Sequence, residues 1–317
     1  MMTDLLAREP VEDRRPGRLR PGRGHCVAHH GELLQGVFAG PQGGTPALIT
    51  LPCPAFEARA LFDARPMSRL TVCPGRPGGA SDDYRKALAA ARLALEHFRE
   101  AGVGGVLRLD SRIPRGRGLG SSTAEVIAVI RAVADALGRS LSGTAVARLA
   151  VAAEEASDAL MFDEPVLFAS QHGAVLEYLP GTLPAFRVLG LDAEPEGPGV
   201  DTLTFRRPAY DRDELACFEL LRAAARRALR DADPRLLARV ATASTRIDLR
   251  HRPNPVIAML LERHQDWGAV GVQRAHSGTV TGLLFDPQSP ASLLDRARSE
   301  LDRLRIKSTW SFYAGHH

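Results

Sequence analysis

The segment Pro114-Arg-Gly-Arg-Gly-Leu-Gly-Ser-Ser-Thr123 constrains this 317-residue chain more than any other. Gly116, Gly118 and Gly120 stand at alternate positions, and Ser121, Ser122 and Thr123 follow them. Behind the loop, Val126, Ile130, Val133 and Leu137 recur at helical spacing, with Gly138 as a C-terminal stop. Glycines let the backbone adopt positive φ and bring its N–H groups close to a ligand. A helix start adds unpaired N–H groups and the positive end of the macrodipole. Hydroxyls at that position donate to phosphate oxygens or ligate Mg²⁺. The pattern predicts an anion cradle that needs no lysine, although a glycine loop with a serine N-cap satisfies it too.

Lysine is nearly absent: Lys86 and Lys307 are two of 41 basic residues, the rest being arginine. Neither follows a glycine, so a G-x-x-x-x-G-K-[ST] phosphate loop is excluded. No H-R-D or D-F-G occurs, which excludes a protein kinase. Net charge is +4, but only 5% of residues are aromatic, and the basic patch interleaved with aromatics that nucleic acid would want is missing. No apolar run reaches the ~18 residues of a membrane span, and Met1 to Arg23 has no hydrophobic central stretch. Cys26, Cys53, Cys73 and Cys217 lie far apart without a C-x-x-C pair. The expectation is a cytoplasmic protein with reduced thiols, Cys53 and Cys73 in the core, and no membrane or nucleic-acid partner.

Length allows roughly two domains. Residues 1–23 read as a mobile Arg/Pro-rich extension. Strands are expected in His25–Phe38, Ala47–Phe62, Arg69–Cys73 and Val106–Leu109, with a helix over Asp82–Arg99. Ser142 caps a helix predicted to run to about Ser157. Short strands follow near Val166–Phe168 and Ala174–Tyr178, then a Pro/Gly-rich stretch, Pro180–Gly199, near the domain boundary. The second half predicts helices near Asp213–Arg230, Pro234–Leu249, Pro255–His264 and Leu293–Leu304. Its strands lie near Ala269–Val272, Thr281–Phe285 and Thr309–Tyr313. Helices and strands mix without strict alternation, so the class is α+β.

Pro114-x-x-x-Gly118-Leu119-Gly120-Ser121-Ser122-Thr123 resembles the phosphate loop of the GHMP kinases, the galactokinase, homoserine kinase and mevalonate kinase family. His30-Gly31-Glu32-Leu33-Leu34-Gln35-Gly36 is similar to that family's first motif in its bacterial L-threonine kinase form, which has Cys where this chain has His30. Gly268 to Thr279, with Ala275-His276-Ser277-Gly278 near its end, resembles the third. The resemblance implies a ribosomal protein S5 domain 2-like N-terminal domain over 24–190 and a ferredoxin-like C-terminal domain over 191–317. It also implies ATP and Mg²⁺ between them, with residues 114, 116 and 118–123 around the nucleotide. A monomer or homodimer acting on a small-molecule amino acid follows. L-threonine is the first candidate acceptor; serine, homoserine, a modified amino acid or another small alcohol are alternatives, and so is a non-catalytic nucleotide sensor.

Phosphoryl transfer needs charge neutralisation, alignment and a place for the acceptor proton. Glu155 and Asp158 lie three apart, which on a continuing helix puts them on one face, with Glu154 turned to solvent. By resemblance, Glu155 and Ser122 hold Mg²⁺, and Asp158 deprotonates the acceptor hydroxyl or orients it. Glu32 is assigned to an acceptor ammonium. Gln35, His30, His276, Ser277, Gly278 and, with Gln171 and Gly173, His172 complete the expected acceptor side. His25 and His29 would share a strand face, but no third ligand is evident, so no transition-metal site is expected.

Overall fold

In a computed structural model, residues 19–40, 43–74, 84–197 and 208–315 are described. The expected extension falls mostly outside them, although Pro21 already begins a strand. The N-terminal half comprises β1 (Pro21–Gly40), β2 (Gly43–Arg65), β3 (Leu70–Pro74), α1 (Arg85–His97), β4 (Gly104–Ser111), α2 (Ser121–Ala136), α3 (Gly143–Glu154), β5 (Val166–Ala169) and β6 (Ala174–Tyr178). The C-terminal half comprises β7 (Phe186–Asp192), α4 (Arg212–Arg230), α5 (Pro234–His251), α6 (Pro255–Arg263), β8 (Gly271–Arg274), β9 (Val280–Phe285), α7 (Ala291–Arg303) and β10 (Thr309–Ala314). Nearly every element lies where periodicity predicted it, and the mixture is α+β. None of the described helices is long and apolar enough to cross a membrane.

The strands form one sheet in the order β10-β7-β9-β8-β1-β2-β4-β3, with the β5–β6 hairpin attached to β2. All neighbours are antiparallel except β3 with β4. A cut at 190/191 would fall inside β7, which pairs with β9 and β10; the division of hydrogen bonding lies upstream, between β6 and β7. Among the described residues, the paired register between the two halves of the sheet is the single pair Glu32 of β1 with Arg274 of β8.

Helix starts follow the sequence. Ser142 caps α3 by accepting from Ala145 N–H, Asp211 and Glu214 form a capping box on α4, and Asp233 and Asn254 cap α5 and α6 ahead of a proline. Helices α1, α2 and α7 open without a side-chain cap, α2 on the left-handed Gly120. Helix α2 is buried on almost every side, from Thr123 through Ala136, among β1, β2, α1 and α3. A helix apolar all round belongs inside a core, and this one fixes the glycine loop to the rigid centre of the fold. A second apolar cluster, including Leu191, Ile257, Leu260, Trp267, Phe285 and Leu301, joins α6 and α7 to the C-terminal sheet. Cys53 is buried as expected, whereas Cys73 is exposed on the edge strand β3.

Candidate active site

Gly116, Gly118 and Gly120 all take positive φ, and Gly120 enters α2 in the left-handed region at φ +65°. A Cβ on Gly120 would meet His29 Cδ2 at 2.2 Å, so its hydrogen lets β1 press against the helix start. Three backbone bonds tie the loop to both other motifs. His29 N–H donates to Leu119 O at 3.1 Å, and the N–H groups of Thr279 and Val280 donate to Arg117 O at 3.1 Å each. Gly278 packs directly on the Gly118 backbone. The structure thus brings Gly118, Gly120, Ser121, Ser122 and Thr123 together with the stretch at His276–Gly278. Pro114 and Gly116 are exposed at the outer end of the loop, and the Leu119 side chain is in the core.

The acid beside this loop is Glu154, not Glu155. Helix α3 ends at Glu154, and Glu155 caps it in the left-handed region at φ +70°, exposed. Glu154 is 4% exposed, and Ser122 Oγ donates to its Oε2 at 2.5 Å. Burial pushes the Glu154 carboxyl up to about 7, against the Ser122 hydrogen bond and the charge of Lys86. Its Oε1 is buried without a partner. Two hard oxygen donors, one of them unsatisfied, fit Mg²⁺, and the helix N-terminus beside them suits the phosphates such an ion would accompany. Lys86 on α1 reaches the same place, Nζ donating to Ser122 Oγ at 3.2 Å. Sequence reading passed over Lys86, though as one of two lysines in an arginine-rich chain it was a visible anomaly.

Across the loop, four side chains from three places form a ring of alternating acid and base. His29 Nε2 lies 3.1 Å from Asp158 Oδ2, and His29 Nδ1 lies 3.7 Å from Glu32 Oε1. His276 Nδ1 lies 3.0 Å from Glu32 Oε1 and 3.9 Å from Asp158 Oδ1. Thr123 Oγ1 donates to Asp158 Oδ2 at 3.3 Å. Burial alone would raise Asp158, but the charge and hydrogen bond of His29, with His276 and Thr123, hold it well below the usual carboxylate range. Burial alone would lower His29; the charge and hydrogen bond of Asp158, with Glu32, reverse the sign and lift it to about 9. His29 and Asp158 are therefore an imidazolium–carboxylate pair. The described residues do contain a third potential ligand for His29: its ring, Glu32 and Asp158 place ligand atoms within 4.8 Å of one another. A metal there would have to displace the proton that His29 shares with Asp158. His25 takes no part, being exposed, because a register shift between Val27 and Ala28 breaks the alternation.

His30 is also outside the site. It is fully buried against Trp310 and Phe312, with ring centroids 5.3 and 5.1 Å away, and it is hydrogen-bonded to Gln273. Burial first, and the charge of His29 second, pull its pKa down to about 3. Regular alternation would put His29 and Glu32 on opposite faces. The irregular stretch between them, with Gly31 at φ +68°, aims both at the loop and His30 away. Gln35 is buried, its N–H donating to Ser244 Oγ at 3.0 Å, and it lines a small pocket with His276, Tyr210 and Asp248. Ser277 is buried beside the loop contact. His172 is exposed on the β5–β6 turn, outside the hydrogen bonds and ion pairs of the ring.

Residues 85–163 match the family model described as the GHMP kinases N terminal domain. Solved structures share the fold across nearly the whole chain. A homoserine kinase from Cytophaga hutchinsonii superposes with a TM-score of 0.70 at 16% identity, covering 96% of this chain and 97% of that one. A mevalonate kinase from methicillin-resistant Staphylococcus aureus gives 0.61 at 18% identity, covering 92% and 98%. The chain thus shares the fold of these kinases, and its residues 85–163 are similar to the GHMP kinase N-terminal domain. Among curated relatives it is 27% identical over 293 residues to an L-threonine kinase from Salmonella typhimurium, covering 89% of this chain and 86% of the relative. It is 28% identical over 286 residues to an L-threonine kinase from Citrobacter freundii, covering 88% of each.

Proposed function

We propose that this protein is an ATP-dependent kinase that transfers the γ-phosphoryl group to the hydroxyl of a small amino acid, L-threonine first. The observation that carries this is the pairing of Ser122 with buried Glu154 at the uncapped start of α2, facing a second pair of buried carboxylates, Glu32 and Asp158. Glycine-loop amides and the α2 N-terminus receive the triphosphate. Ser122 and Glu154 hold Mg²⁺, which neutralises phosphate charge when bound. Lys86 adds a cation beside Ser122. On the acceptor side, Glu32 Oε2 is buried and unpartnered, an acceptor suited to an ammonium. The similarity to L-threonine kinases supports the same class of acceptor.

The test is incubation with Mg-ATP and threonine, serine, homoserine, N-acetylthreonine, mevalonate and galactose, with phosphorylated products identified by mass spectrometry. The expected product is O-phosphothreonine, with N-acetylthreonine inert because it lacks the ammonium. Phosphorylation of mevalonate or galactose alone would overturn the amino-acid assignment. Failure to bind ATP would overturn the kinase itself.

A further inference from the structure

Resting on that kinase reading, we propose that His276 takes the proton from the acceptor hydroxyl, with Glu32 holding its ring in the working tautomer. Three observations carry this. The first is occupancy. Asp158, the carboxylate that the family resemblance nominates, is held by His29 at 3.1 Å and Thr123 at 3.3 Å, both on Oδ2. A carboxylate kept anionic by an adjacent imidazolium is a weak proton acceptor. The second is tautomer. His276 Nδ1 lies 3.0 Å from Glu32 Oε1, and an ionised carboxylate can only accept, so Nδ1 carries the hydrogen and Nε2 presents a lone pair. A buried carboxylate orienting an imidazole in this way is the arrangement that makes histidine an effective general base.

The third is access. The His276 side chain is 15% exposed, against 9% for that of Asp158. His276 borders the pocket formed with Gln35, Gly36, Leu48, Tyr210 and Asp248, and its loop packs on the phosphate loop through Gly278 and Gly118. On this proposal the acceptor hydroxyl approaches His276 from the side of the phosphate loop.

The acceptor oxygen forms a bond to the γ-phosphorus. The bond from that phosphorus to the β–γ bridging oxygen breaks, and its electron pair leaves with ADP. The hydroxyl proton passes to His276 Nε2, giving an imidazolium balanced by Glu32, and is released to solvent from the exposed ring edge. Asp158 stays ionised and orients the hydroxyl. Glu32 serves twice: Oε1 fixes the base while Oε2 remains for the ammonium.

The experiment compares wild type, His276→Ala, Glu32→Gln and Asp158→Asn for turnover of ATP and threonine, and for ATP binding by calorimetry. His276→Ala should lose about 10²–10⁴-fold in kcat while binding ATP normally, and added imidazole should restore part of the lost rate. Asp158→Asn, which keeps an oxygen to orient the hydroxyl, should retain a larger kcat than His276→Ala. Nitrogen-15 NMR of wild type should find His276 protonated on Nδ1, and Glu32→Gln should redistribute that tautomer. Near-wild-type turnover in His276→Ala, or a larger loss in Asp158→Asn without imidazole rescue of His276→Ala, would overturn the proposal and return the role to Asp158. Wild type that binds ATP yet phosphorylates no amino acid would instead remove the parent reading, and this proposal with it.

Discussion

Ser122 Oγ and Glu154 Oε2 are joined by a 2.5 Å hydrogen bond between the first turn of α2 and the last residue of α3. That bond aims a carboxylate at a helix N-terminus although burying it is unfavourable. Burial raises the Glu154 carboxyl, and on the proposed reading that position is where it would hold Mg²⁺.

Two neighbouring acids should therefore behave oppositely. Glu154→Gln should reduce turnover at least ~100-fold and abolish Mg²⁺-dependent tightening of ATP binding, as expected when a charge-neutralising group is lost. Glu155→Gln, altering an exposed cap residue, should stay within about twofold of wild type. Equal losses in steady-state kinetics would contradict the placement.

The same Glu154→Gln substitution should not destabilise the metal-free protein and should raise its Tm at pH 8. The sign follows from a folded pKa of about 7 above a model value of 4.5. Deprotonation costs folding free energy progressively between those values, and the cost is complete above about pH 7. Glutamine keeps an acceptor for Ser122 and carries no charge. A lower Tm at pH 8 by calorimetry would show that the carboxylate stabilises the fold.

For the His29–Asp158 pair, stability should also fall as pH rises, but in a higher window. His29 is raised from 6.5 to about 9, so its contribution is full below 6.5 and is lost as pH rises through about 9. Asp158 is lowered from 3.8, so its contribution is present above that value and is lost only at lower pH. The Tm difference between wild type and His29→Asn should be greatest between about pH 4 and 6.5 and should shrink toward pH 9.5. A constant difference from pH 6 to 9.5 would rule out the ionised pair.

Gly120→Ala should cost about 1–2 kcal/mol for the left-handed backbone alone, with more for the clash with His29. ATP affinity should fall more than tenfold, while Gly138→Ala, also at positive φ but with open space for a Cβ, should leave it unchanged. Equal affinities by calorimetry would mean that the bend is not the nucleotide's seat.

Most of the fold was legible because its signals are local. Apolar spacing marked α2, Ser142 marked the start of α3, and the expected starts at Pro234 and Pro255 coincide with those of α5 and α6. Glu154 was misread because the end of α3 has no local marker: the left-handed residue is Glu155 itself, where glycine or asparagine is usual. His30 was misplaced, and the acid–base ring was missed, because both depend on a strand irregularity around Gly31 and on partners up to 244 positions away. The glycine loop survived the change of context because it acts through its backbone, whereas Lys86 needed α1 to bring it to Ser122.

Among the described strands, Glu32 is where the two halves of the sheet are stitched together, opposite Arg274. The residue proposed to read the acceptor is thus also the clasp of the scaffold. That join is made by the backbone, so a change of side chain at Glu32 alters what the carboxylate holds without unfastening the two halves.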